Sequence, residues 1–67
     1  MPKIVNCIAS IRKQKNISQE KLADILGITS RTLRKWENGK EYPKLDQAFL
    51  LAKILDIPIM KLFFYID

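Results

Sequence analysis

Apolar residues recur at helical spacing along most of this chain, and the polar and turn-forming residues between them mark where each helix stops. Ile4, Ile8 and Ile11 fall at steps of four and three, the period of one helical face, and predict a first helix from about Ile4 to Lys15 that Asn16 stops. Ser18 is placed to cap a second helix whose first turn holds Glu20 and Lys21 and whose apolar face carries Leu22 and Leu26. Thr29 caps a third, from Ser30 to about Glu37, with Leu33 and Trp36 turned inward; Asn38-Gly39 closes it in a left-handed turn, and Pro43 blocks extension. A fourth begins near Leu45 and places Leu45, Ala48, Leu51, Ala52 and Leu55 at steps of three and four, with Phe49, Leu50 and Ile54 widening the stripe. Asp56-Ile57-Pro58 breaks it, and a short fifth helix opens at Pro58 or Ile59 and runs through Leu62 or Phe63. No internal repeat or low-complexity segment interrupts the series.

The second and third of these helices are set for a close crossing. Gly27 adopts a left-handed conformation without a Cβ clash, so the chain reverses directly after Leu26. Ala23 sits where the following helix passes closest, and a longer side chain there would push the two apart. Thr29 can accept a hydrogen bond from the amide of Arg31 or Thr32, which leaves about three residues between the helices, the gap of a helix-turn-helix spanning about residues 18–38. An ordinary helical hairpin, spaced for core packing alone, has the same pattern, so the decision falls to the flanking residues.

Charge and composition narrow the choice. With 67 residues the chain is below the size at which domains divide, and 48% apolar residues suffice for one core, so 1–67 reads as a single domain. The net charge of +5 is unevenly placed: residues 1–44 carry ten Lys and Arg against four Asp and Glu, and residues 45–67 carry two against three. The basic part coincides with the helix-turn-helix, where Ser30, Arg31, Thr32, Arg34 and Lys35 take the outward positions of the third helix and Lys40 and Lys44 follow it. Such a stripe on a helix that fits a groove points to a polyanion. The single cysteine, Cys7, rules out an intrachain disulfide, and with no histidine a zinc site has too few ligands. A reducing cytoplasm is the expected location. No apolar run reaches the roughly 18 residues of a bilayer span, and Met1-Pro2-Lys3 does not open a signal peptide.

From Ile8 to Phe63, about five-sixths of its length, the chain resembles the lambda-repressor and Cro-like helix-turn-helix family, also called the xenobiotic-response-element (XRE) family. Three pieces carry the resemblance in the family's order and spacing: SQEKLADILGI, TLRKWENGKEYP and LAKILDIPIMKLF. The implied fold is all-α, a compact five-helix domain, with the C-terminal residues able to add a short β-strand. The implied partner is double-stranded DNA, with the third helix in the major groove. Ser30, Arg31 and Lys35 match the family positions that touch base edges, with Arg34 adjacent. Arg31 is the first choice for specificity, because its planar guanidinium can donate two parallel bonds to guanine O6 and N7. Gln19, Thr29, Asn38 and Lys40 match positions that contact the phosphate backbone, which set register more than sequence preference. Arg12 and Glu37 match a structural ion pair between the first helix and the end of the recognition helix, where loss of one partner costs on the order of 3 kcal/mol. Trp36 is assigned to core packing.

No enzyme is expected. The chain lacks histidine, a glycine-rich phosphate loop and an evident carboxylate pair in a pocket, no cofactor or small-molecule ligand is called for, and Cys7 has no activating base in view. Tyr42 is expected to pack over the turn. The C-terminal end is more open: Phe63, Phe64, Tyr65 and Ile66 are too apolar for full solvation on so small a domain. The fourth and fifth helices and this tail, with 59–67 as the surface, form a homodimer in one reading, the tail pairing as a strand with its mate or with Lys3 to Asn6; in the other they are buried within the monomer. A dimer places two recognition helices about 34 Å apart on a palindromic site, and repression follows by promoter occlusion. An antitoxin or anti-regulator that binds a protein through the tail, or an interaction module without DNA binding, are the alternatives.

Overall fold

The computed structural model describes residues 3–66; Met1, Pro2 and Asp67, the last within the expected 59–67 surface, lie outside the described residues. These residues form, in chain order, β1 (Lys3–Asn6), α1 (Ile8–Gln14), α2 (Gln19–Leu26), α3 (Ser30–Glu37), α4 (Leu45–Leu55), α5 (Ile59–Leu62) and β2 (Phe63–Ile66). The fold is thus mostly helical, with a two-stranded antiparallel ribbon in which Lys3 faces Ile66, Ile4 faces Tyr65, Val5 faces Phe64 and Asn6 faces Phe63.

Four helices end in the same way. The residue after each helix, or one beyond, turns to positive φ at Asn16, Gly27, Gly39 and Asp56. The next amide then reaches back to a carbonyl inside the helix: Ile17 to Arg12, Ile28 to Ala23, Lys40 to Lys35 and Ile57 to Ala52, at 2.9–3.1 Å. This reverse turn satisfies carbonyls that the helix leaves open and fixes the exit direction of the chain. At three of the four ends the reaching residue is isoleucine, and Ile17, Ile28 and Ile57 all pack against the core. The helix starts of α2 and α3 are held by Ser18, whose hydroxyl accepts from the Lys21 amide at 3.0 Å, and by Thr29, which accepts from the Thr32 amide at 3.1 Å.

Ile8 from α1, Leu22 from α2, Leu33 from α3, Leu51 and Leu55 from α4 and Leu62 from α5 are fully buried and meet in one cluster with Ile11, Ala23, Trp36 and Ala52. Each such aliphatic side chain contributes about 1.5–3 kcal/mol by leaving water. Ala23 of α2 is 2% exposed within this cluster.

Two expectations are corrected. The first helix does not reach back to Ile4: residues 3–6 are strand, and Ile4 is 37% exposed rather than on a buried helical face. The cause is Asn6, whose side-chain oxygen accepts from the Ile8 amide at 3.0 Å and so starts the helix four residues later, while the β-branched Ile4 and Val5 find a ladder partner in the tail. The second correction concerns α4. Leu45 is 73% exposed in its first turn, and Phe49 and Leu50 are exposed as well, because the side that carries Ala48, Leu51, Ala52 and Leu55 turns inward, with Ile54 at its edge packed against the core.

Candidate nucleic-acid interface

The exposed side of α3 follows from its buried side. Leu33 and Trp36 lock one face into the core. Ser30, Arg31, Arg34 and Lys35, at offsets of one and four residues, share the opposite face, since successive helical residues turn about 100°. Arg31 and Arg34 are exposed, and Ser30 and Lys35 are half-buried. Among the described residues the salt bridges are Arg12 to Glu37 and Lys35 to Glu41, so neither exposed arginine is neutralised by a carboxylate. The Lys35 pair is long, at 3.7 Å between side chains 39% and 54% exposed, and an anion can displace it at little cost.

Residues at the two ends of α3 flank this face. Thr29 is exposed, and its hydroxyl both accepts from the Thr32 amide and donates to the Thr32 hydroxyl at 3.0 Å. Asn38 and Lys40 are exposed beyond the other end. Lys40 occupies the position where the three comparable helix ends place an isoleucine on the core. A charged residue in that position gives up a packing contact and keeps an ammonium in solvent beside the basic face.

Beneath α3 lies a polar cluster that holds its end in place. Arg12 Nε donates to Glu37 Oε2 at 2.8 Å, with side chains only 11% and 6% exposed. Arg12 Nη1 donates to the Ile17 carbonyl at 3.0 Å, and Gln19 Nε2 donates to Glu37 Oε1 at 2.9 Å. The buried charge is therefore paired and its oxygens are occupied from two helices, the condition under which such a pair survives desolvation. Gln19, expected at the phosphate backbone, is here joined by its amide to Glu37, so it links the start of α2 to the end of α3. Asn6 was missed by the sequence reading. Its Nδ2 donates to the Trp36 carbonyl at 2.9 Å. An Asn just ahead of a helical apolar pattern is a start signal, but continuous Ile spacing through Ile4 and Ile8 masked it.

Cys7 is half-buried against the core, and Trp36 is buried, which fits packing roles for both. Tyr42, Pro43, Leu45, Ala48 and Ile59 line an open apolar cleft together with Ile4 and Phe63 of the ribbon, about 290 Å³ in volume. Phe64, Tyr65 and Ile66 remain exposed although their strand is paired within the chain. No group of three or more His, Cys, Asp and Glu able to hold a metal occurs among the described residues, and no helix there is long and apolar enough to cross a membrane.

Residues 8–62, which hold all five helices, match the family model described as Helix-turn-helix. The chain belongs to the XRE-type helix-turn-helix family. Among its relatives, an uncharacterized HTH-type transcriptional regulator, MJ0272 of Methanocaldococcus jannaschii, is 37% identical over 62 residues, covering 92% of this chain and 94% of that one. The HTH-type transcriptional activator BcrR of Enterococcus faecalis is 33% identical over 82% of this chain, which spans 27% of that protein's length. The antitoxin HigA-2 of Vibrio cholerae is 44% identical over 72% of this chain, which spans 45% of its length. A crystal structure of a Bacteroides fragilis protein, named for an inferred DNA-binding role, superposes with a TM-score of 0.83 at 25% identity, covering 90% of this chain and 97% of that one. In this helix-turn-helix chain α2 and α3 are joined by the three residues Gly27 to Thr29.

Proposed function

We propose that this chain is a sequence-specific DNA-binding regulator of transcription. The observation that carries the reading is the solvent face of α3, which presents Ser30, Arg31, Arg34 and Lys35 opposite the buried Leu33 and Trp36, in the second helix of an XRE-type motif. In this reading α3 enters the major groove. Arg31 reads a guanine edge through two parallel donors, with Ser30, Arg34 and Lys35 as further base contacts. Thr29, Asn38 and Lys40 hold phosphates at the two ends of the helix, and Gln19 joins them at the start of α2, where helix amides favour anions. The regulator needs no catalytic group for this.

The protein acts as a homodimer through α4, α5 and the tail, and it represses by occupying a promoter. The apolar cleft beside the ribbon, with exposed Leu45 and Tyr65 near it, supports the dimer, since a second copy covers surface that water otherwise meets. The likeness to HigA-2 favours one rival, in which the same apolar surface holds a different protein and DNA binding controls only the chain's own operon.

Selection of randomised duplex DNA by the purified protein tests the reading, with the bound fragments sequenced. A palindromic consensus with half-sites about one helical turn apart is the expected result. Salt-sensitive binding with no consensus would remove sequence reading from the proposal, and no binding at all would leave the partner-protein reading.

A further inference from the structure

The ribbon and the recognition helix are joined at one side chain. Asn6 is the last residue of β1, and both ends of its amide are used: Oδ1 accepts from the Ile8 amide at 3.0 Å, and Nδ2 donates to the Trp36 carbonyl at 2.9 Å. The first bond starts α1. The second reaches thirty residues along the chain to the last turn of α3. The Trp36 carbonyl also accepts from the Gly39 amide at 3.1 Å, so Asn6 grips the same oxygen that closes the helix. On the other side, Asn6 faces Phe63 in the ribbon register, and the adjacent Cys7 amide donates to the Leu62 carbonyl at 3.0 Å. Tail, β1 and the end of α3 thus form one hydrogen-bonded line.

We propose that Asn6 is a positioning residue for DNA reading: it ties the β-ribbon to the C-terminal end of the recognition helix, so that whatever holds the ribbon also sets how that helix lies in the groove. The inference rests on the reading of α3 as the DNA helix. Its physical basis is leverage. Arg31 and Arg34 read DNA only if the axis of α3 is held within about 0.5 Å and 10–20°, and α3 is fixed at its far end by two ties, Glu37 to Arg12 and Gln19, and Trp36 to Asn6. The first tie comes from other helices. The second comes from the ribbon alone, the element whose outer surface is open to a partner.

The two roles of Asn6 separate by substitution. Asn6→Ser keeps a hydroxyl that can accept from the Ile8 amide but is too short to reach the Trp36 carbonyl. Asn6→Asp keeps the cap and turns the second bond into a contact between two oxygens, and Asn6→Ala removes both. The experiment compares binding to the selected site and to a scrambled site, well below the melting temperature of each variant. Positioning predicts that Asn6→Ser weakens the selected site about three- to tenfold while the scrambled site changes less than about twofold. The added charge of Asn6→Asp lowers both affinities, so for that variant the ratio of the two is the readout. Equal loss on both sites for Asn6→Ser, or no loss, overturns the proposal.

Hydrogen exchange on the free protein separates this failure from failure of the DNA reading. The Gly39 and Lys40 amides, which close α3, are expected to exchange faster in Asn6→Ser than in the parent while the α2 amides do not change. If the parent selects no DNA but those two amides respond, the tie stands and the DNA reading falls; if they do not respond, the tie itself is refuted.

Discussion

At the scale of single residues, the two positive side chains that matter most to the proposed function have different jobs and are separable. Arg31 stands on the exposed face of α3 with no carboxylate partner among the described residues, and Lys40 stands beyond its end in a position that other helices of this chain give to isoleucine. Arg31→Ala is expected to relax preference at one base position and to cost about 1–3 kcal/mol on the selected site, more than on a scrambled one. Lys40→Ala is expected to weaken all sequences alike and to lower the slope of log affinity against log salt by about one. Titrations of selected and scrambled duplexes across a salt series distinguish the two, and equal losses on both duplexes for Arg31→Ala would strike it from the base readers. Gln19 has, besides its proposed place at the phosphates, a structural bond that residue matching by sequence does not give. Its amide is bonded to Glu37, a contact that depends on three helices meeting and so leaves no trace in local spacing.

At the scale of elements, α2 to α5 were readable because each has its own start or stop. Ser18 and Thr29 cap, Gly27 and Gly39 turn left-handed, and Asp56 does the same ahead of Pro58. The β1 strand was not readable, since Ile4, Ile8 and Ile11 keep helical period across a boundary set by one side-chain bond from Asn6. The turn between the motif's helices gives a direct test. A methyl group at Gly27 would meet no atom within 4 Å, so Gly27→Ala is a matter of backbone conformation at φ 73°. It is expected to cost about 1–2 kcal/mol in urea unfolding, and Gly27→Asn less, because Asn tolerates that region. No measurable loss for Gly27→Ala would mean that the turn has another conformation open to it.

At the scale of the whole molecule, size and surface bear on the dimer. The domain measures 33 × 22 × 21 Å, so two copies in contact can set their recognition helices about one DNA turn, roughly 34 Å, apart. A standard interface of about 800 Å² per partner is about a sixth of the chain's 4832 Å² of accessible surface. The apolar cleft and the exposed Phe64, Tyr65 and Ile66 are the surface proposed for that contact. A Tyr65→Lys variant, altering a side chain 71% exposed, is expected to fold normally, to sediment as a monomer where the parent is dimeric, and to bind a full palindrome no better than one half-site. A parent that stays monomeric both free and on its operator would end the homodimer proposal and leave the tail to another partner.

The sequence by itself determined the helices of the motif, the resemblance to the family and the basic face of α3, because these depend on period, caps and charge within stretches of ten or so residues. It also left two pairings open for the tail, with its mate or with Lys3 to Asn6. The Arg12–Glu37 pair was already implied by the resemblance, but only the tertiary structure decided that β2 pairs with β1 of the same chain, that Leu45 and Phe49 face solvent, and that Gln19 and Asn6 hold Glu37 and Trp36. Those outcomes turn on which distant groups arrive within hydrogen-bond reach of one another, and residues 18 or 30 positions apart carry no local signal of that meeting.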